Sequence, residues 1–211
     1  MITKSLGGVM MKKSFIYLSI LLAFLGIQLQ ADEPLHSKGH LVPVILNAGE
    51  HLLTGKSRDG KIQIENGLIL KVLKSDELKV TDEWEYHEHL SITHNPYIGG
   101  GSDFYVYNIN RDEFVHANLY SPPNPNNDHT KKIILIDPFD GEVVLMTRTG
   151  TKYSWRVEAK DLDIIREWEI GDHIVLGKNN HWYSSLYSDC GYIMLNCNKH
   201  PHTPCIRVKP Y

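Results

Sequence analysis

His87 and His89 form a His-x-His pair with His94 close behind, and His200 and His202 form a second pair around Pro201. Alternate residues of a strand point to one face. Two imidazoles spaced this way can therefore reach one zinc or copper ion. The slot of His87 in a second copy of the surrounding stretch is Gly171, and neither an H-E-x-x-H nor a C-x-x-C run accompanies the pairs. The reading favours exposed or hydrogen-bonded histidines and no cofactor. A periplasmic metal-binding protein using His87, His89 and His94 is the alternative.

Other reactive residues point nowhere specific. A nucleophile needs a base beside it, and no G-x-S-x-G or phosphate-binding Gly-Lys loop is present. A hydrolase with a site assembled from scattered residues is the third reading. Cys190, Cys197 and Cys205 are the only cysteines. In an exported chain an odd count predicts one disulfide and one leftover thiol. Asn198 to Pro204 reads as a hairpin turn, so Cys197–Cys205 is the expected pair.

Aromatic residues on polar loops are the composition of a recognition surface. Thr93 to Asp103 (THNPYIGGGSD) carries Tyr97, and Gly177 to Gly191 (GKNNHWYSSLYSDCG) carries His181, Trp182, Tyr183 and Tyr187. These five are the candidate binding residues. The competing reading folds Trp182 and Tyr187 back over their own unit.

The elements that must position these residues come in two copies. Arg166 to Leu176 (REWEIGDHIVL) answers Asp82 to Ile92 (DEWEYHEHLSI), with Trp168 matching Trp84, Asp172 matching Glu88 and His173 matching His89. Upstream, Asp59-Gly60 answers Asp140-Gly141 and Gly67 answers Gly150. Downstream, Phe104 to Asn108 answers Tyr192 to Asn196, and Phe114 to Leu119 lines up with Pro204 to Val208. Short alternating runs such as Ile62/Ile64 and Leu68/Leu70/Val72, split by Asn66-Gly67, predict strands joined by tight turns. The chain is expected to be mostly β, with two tandem small antiparallel barrel or sandwich-like units from an internal repeat. Little helix is expected beyond a turn within Asp161 to Glu169. Trp84 and Trp168 are the expected core anchors, and the duplicated residues as a set are expected to hold the fold.

Lys12-Lys13, the apolar Phe15 to Ile27 and Leu29-Gln30-Ala31 make residues 1–31 a signal peptide. Met11 is an alternative start. The apolar run is shorter than the ~20 residues a bilayer requires, so no transmembrane segment is expected after leader cleavage. Residues 32–58 read as a tail and lead-in strand, 59–120 as repeat one, 121–131 as a Pro/Asn-rich linker and 132–211 as repeat two. The net charge of −3 includes Lys4, Lys12 and Lys13 of the leader. The mature chain is thus more acidic still, which argues against nucleic acid as a partner. The expected function is an exported, non-catalytic binding or structural protein of the bacterial envelope or extracellular space, periplasmic or secreted, meeting a protein or glycan. Mass spectrometry of the exported protein should find Asp32 as its first residue; a mature protein that keeps residues 1–31 overturns the leader assignment.

Overall fold

The computed structural model describes residues 47–95, 101–180, 188–199 and 205–211. Two closed, six-stranded antiparallel barrels account for them. Barrel one is β1 (Glu50–Lys56), β2 (Lys61–Ile64), β3 (Ile69–Val72), β4 (His89–His94), β5 (Phe104–Asn108) and β6 (Glu113–Ser121), with α1 (Leu78–Glu83) before β4. Barrel two is β7 (Lys131–Asp137), β8 (Glu142–Thr147), β9 (Lys152–Val157), β10 (His173–Lys178), β11 (Tyr192–Asn196) and β12 (Cys205–Pro210). A 3-10 turn (Ala159–Asp161) runs into α2 (Leu162–Ile165). The strands close as β1-β2-β3-β6-β5-β4 and as β7-β8-β9-β12-β11-β10, one order used twice. Closure leaves the twelve described strands without an edge open to pair with another chain. No helix among the described residues is long and apolar enough to cross a membrane.

Each unit begins one strand earlier than the sequence match. His51 pairs with Leu90 and Lys131 with Ile174, while Leu53 pairs with Ile64 and Ile133 with Leu145. β1 and β7 are therefore repeat partners, although EHLLTGK and KKIILID share little but apolar alternation. The last strands also shift. Tyr107 pairs with Phe114 and Leu195 with Cys205, so Phe114 matches Cys205 rather than Pro204.

The alternating apolar residues fill the barrels as their period requires. Leu53, Ile62, Ile64, Leu70, Leu90, Ile92, Phe104 and Val106 close around Trp84, which is 1% exposed. Ile133, Val143, Leu145, Ile174, Leu176 and Met194 close around Trp168, which is 5% exposed. Both Trp residues thus fill the slots expected of them. Truncating such a side chain typically costs about 3–5 kcal/mol. The Trp84 indole N–H donates to Glu113 Oε2 at 3.1 Å. Among the described residues the Trp168 indole N–H has no acceptor. The matching slot falls on Pro204, outside the described residues, and proline carries no acceptor side chain.

Duplicated polar residues tie the strands to the Trp turns. Asn108 and Asn196 are fully buried. Asn108 Nδ2 donates to Glu88 Oε2 at 2.6 Å, and Asn196 Nδ2 to Asp172 Oδ2 at 2.6 Å. The same carboxylates accept from the backbone N–H of Glu85 and Glu169. The Asp59/Asp140 turns end on Gly60 and Gly141 at φ 83° and 67°. A Cβ at either would press on Leu78 or Leu162, the first residue of each helix.

The barrels stand back to back. β4 and β10 each bury both faces. Leu90 and Ile92 face barrel one and Ile174 and Leu176 face barrel two, while Ser91, Thr93, Val175 and Gly177 are buried on the other side. Val175, Ile193, Leu195 and Cys197 of barrel two join the core of barrel one as a single cluster. The segment between the barrels is also held. Asn124 N–H donates to Asn66 O, and Asn127 Nδ2 to Glu65 O.

Gly177 sets how close the barrels come. A Cβ there would lie 2.2 Å from the Ile92 carbonyl oxygen, a backbone atom that cannot yield. Gly177→Ala is expected to lower stability by at least about 1–3 kcal/mol in urea unfolding, in the range of overpacked cores. Gly191→Ala, with open space around its Cβ position, should stay within about 0.5 kcal/mol.

Candidate recognition site

The two loops singled out by composition leave the seam together. Thr93, near the end of β4, donates through Oγ1 to Asn180 Oδ1 just past β10, at 3.2 Å. Each loop is closed at its base by the same device. Asn95 N–H donates to Asp103 O at 2.8 Å and Asn179 N–H to Gly191 O at 2.9 Å. Asn95 Nδ2 donates to Ser102 O and Asn179 Nδ2 to Cys190 O. The side chain fixes the strand end to the returning chain, so both loops grow from rigid stems. Asn95 and Asn179 are repeat partners, each one residue past its strand, a match that the sequence carries. Tyr97, His181, Trp182, Tyr183 and Tyr187 lie outside the described residues.

The described residues beside the first stem form an aromatic row. Phe114, His116 and Asn118 sit on the outer face of β6, since Val115, Ala117 and Leu119 fill the barrel. Tyr105 pairs with His116 and Tyr107 with Phe114. Tyr105 packs edge-on to Phe114 and His116, with centroids 5.1 and 4.7 Å away, the geometry that aromatic quadrupoles favour. Phe114 remains 51% exposed. Asn118 joins this row to the loop, accepting from Asp103 N–H at 2.6 Å and donating to Gly101 O at 3.2 Å. Tyr105 itself pairs with Thr93, the residue that reaches Asn180. The row thus runs without a break from the seam outward. Sequence reading placed the aromatics in the loops and missed these, because alternation assigns Tyr and Phe to a strand without saying that their face is open.

His116 has the makings of a catalytic dyad and a simpler explanation. Its Nδ1 lies 2.6 Å from Glu77 Oε1, and its backbone N–H donates to Glu77 Oε2 at 2.7 Å. In barrel two, Asp161 accepts from the Arg207 backbone N–H at 2.7 Å and from both Nε and Nη2 of its guanidinium. The same acid position grips the same strand position in both barrels. The pair is a clamp from the start of the helix to the last strand, and it fixes the tilt of the His116 ring within the aromatic row.

The expected metal ligands are not gathered. His87 is exposed in a turn at φ 70°, the conformation that its counterpart Gly171 adopts at φ 100°. It therefore does not share a strand face with His89. His89 and His94 stand at opposite ends of β4, about 16 Å apart at strand rise. His200 and His202 lie outside the described residues. Among the described residues, one group offers three ligand atoms within 4.8 Å of one another: Glu158, Asp189 and Cys190. Its members already have partners. Ser188 Oγ donates to Glu158 Oε2 at 2.7 Å, and Lys209 pairs with Asp189. The group locks the returning stem of the second loop against barrel two.

The three cysteines are free thiols, which corrects the expected Cys197–Cys205 bridge. The hairpin is present, but its register sets Leu195 opposite Cys205. Cys197 is thereby diagonal to Cys205 on the same face. Diagonal neighbours lie about 7–8 Å apart, beyond the ~4.4–6.8 Å Cα spacing that a disulfide spans. Burial pushes Cys197 and Cys205 up to about 12 and Cys190 to about 11, and the thiolate is the reactive form.

No protein-family model, curated protein or solved structure matches the chain.

A thiol-reactive disulfide reagent at neutral pH should therefore leave all three cysteines unmodified for many minutes in the folded protein and label three in denaturant. Prompt labelling of a thiol in the folded state, or fewer than three on unfolding, overturns this account.

Proposed function

We propose that the chain is an exported, non-catalytic binding protein that meets a glycan or protein of the cell envelope through the outer face of β5 and β6 and the adjoining loop stems. The observation that carries this reading is Phe114, half-exposed at the end of an aromatic row whose other rings hold it in place. Large aromatic side chains fixed at low conformational cost are what recognition surfaces use. The counterparts in barrel two are Leu195 and Cys205, both packed into the shared core. One architecture thus carries a covered face in one copy and an open aromatic face in the other. The duplicated acids and amides are engaged in holding turns and strands, which favours binding over catalysis. The leader-like residues 1–31 and the acidic mature chain favour export and argue against nucleic acid.

The test titrates the mature protein onto purified envelope glycan and onto envelope protein extract, beside a Tyr107→Ala plus Phe114→Ala variant. One of the two materials should bind, and the variant should bind it at least about tenfold more weakly, as loss of a central aromatic anchor does. Its melting temperature should fall by no more than a few degrees, because Phe114 is half-exposed and Tyr107 half-buried, and neither fills the barrel core. Equal binding by the variant, or no binding to either material, overturns the proposal.

A further inference from the structure

The seam between the barrels holds an ionisable cluster that neither core packing nor the recognition face employs. His51, on β1, is 3% exposed. Its Nε2 lies 2.8 Å from the Leu176 carbonyl oxygen of barrel two, and its Nδ1 lies 2.9 Å from Glu65 Oε1 of barrel one. Leu52 N–H donates to the second Glu65 oxygen at 3.0 Å. Glu65 also interacts with the ammonium of Lys131 across the seam. His51 and Lys131 occupy the same slot of the two barrels.

A carbonyl oxygen only accepts, so Nε2 must carry a proton for its contact to be a hydrogen bond. Glu65 faces His51, Lys131 and the Leu52 N–H, all of which favour its carboxylate form. A carboxylate likewise only accepts, so Nδ1 must carry a proton too. We propose that His51 is a proton-operated clamp: its doubly protonated ring ties barrel one to β10 of barrel two, and loss of one proton as pH rises releases one of the two acceptors and loosens the seam.

The surrounding charges support this assignment. Burial alone pushes the Glu65 carboxyl up, but the neighbouring His51 and the hydrogen bonds from His51 and Leu52 outweigh it and hold it below its usual range. Burial pushes Lys131 down, with Glu65 opposing. Glu50 of β1, Lys178 of β10 and His89 of β4 form a second ionisable group on the adjoining elements. Glu50 lies 3.6 Å from Lys178 Nζ and 3.9 Å from His89 Nδ1. Glu65, held below its usual range, remains a carboxylate across the range in which histidine titrates. The sign follows directly. A ring whose protonated form is favoured by folding stabilises below its titration and loses that contribution as pH rises through it.

The experiment compares the full mature chain with His51→Gln between about pH 5.5 and about pH 8.5. The wild-type melting temperature should fall with rising pH by roughly 2–6 °C more than that of the variant, as expected for one buried hydrogen bond in a chain of this size. Nitrogen-15 NMR of the wild-type imidazoles supplies a reading that does not depend on the variant folding. One ring should stay doubly protonated at the low end and lose a proton within the range. Parallel melting curves for the two proteins, or a His51 ring already neutral at about pH 5.5, overturn the clamp.

Discussion

The approach of Gly177 to the Ile92 carbonyl is the contact on which the rest of the molecule depends. A small antiparallel barrel can bury only one face of each strand within itself. β4 and β10 bury both, because each presents a flat, small-residue or short polar back to the other: Ser91 and Thr93 on one side, Val175 and Gly177 on the other. Any side chain at Gly177 would hold the strands apart. The same approach brings His51 within reach of Leu176 and Thr93 within reach of Asn180. Core continuity, the buried charges and the meeting of the two loop stems all follow from one missing Cβ.

The strands at this contact are repeat partners, and so are His51 and Lys131. The seam is therefore built from one surface used twice, as in a two-fold symmetric dimer. The symmetry is broken in charge. Barrel one supplies Glu50 and Glu65, and barrel two supplies Lys131 and Lys178. Opposite charge on the two halves selects this pairing over barrel one on barrel one, where like charges would meet at a desolvated surface. The held segment at Asn124 and Asn127 then keeps the two halves at high effective concentration.

Much of the framework was legible because it is periodic. The Trp slots, the Asn66-Gly67 turn and the alternating strands follow from patterns that the chain states twice. That β1 and β7 are repeat partners escaped, since a strand at the seam is defined by its neighbours as much as by its own residues. α1 escaped because Leu78 and Val80 alternate as a strand would; tertiary contacts with Gly60 and β6 overrode that preference. The His87/His89 pair misled in the opposite sense. Two histidines at strand spacing share a face only if both are in the strand, and the positive φ at His87 ends the turn between them. The Cys197–Cys205 pairing failed for a related reason, as hairpin loop length gives proximity while register alone gives the opposed pair.

Where the copies agree, their residues are accounted for by the fold: Glu88 and Asp172 hold the turns, Asn108 and Asn196 hold the strands, and Asn95 and Asn179 close the loops. Function is then to be sought where the same slot carries different chemistry. Tyr107 stands for Leu195, Phe114 for Cys205 and His116 for Arg207. In barrel two these positions are covered or clamped, and in barrel one they leave an aromatic edge at the surface. Apolar area that the fold could bury, and in its twin does bury, gains nothing for stability by standing in water. Phe114 is held there by Tyr105 and His116, and His116 in turn by Glu77. A ring fixed in place at the surface by two partners has a preorganised contact to offer, and this is the physical ground for proposing recognition on barrel one.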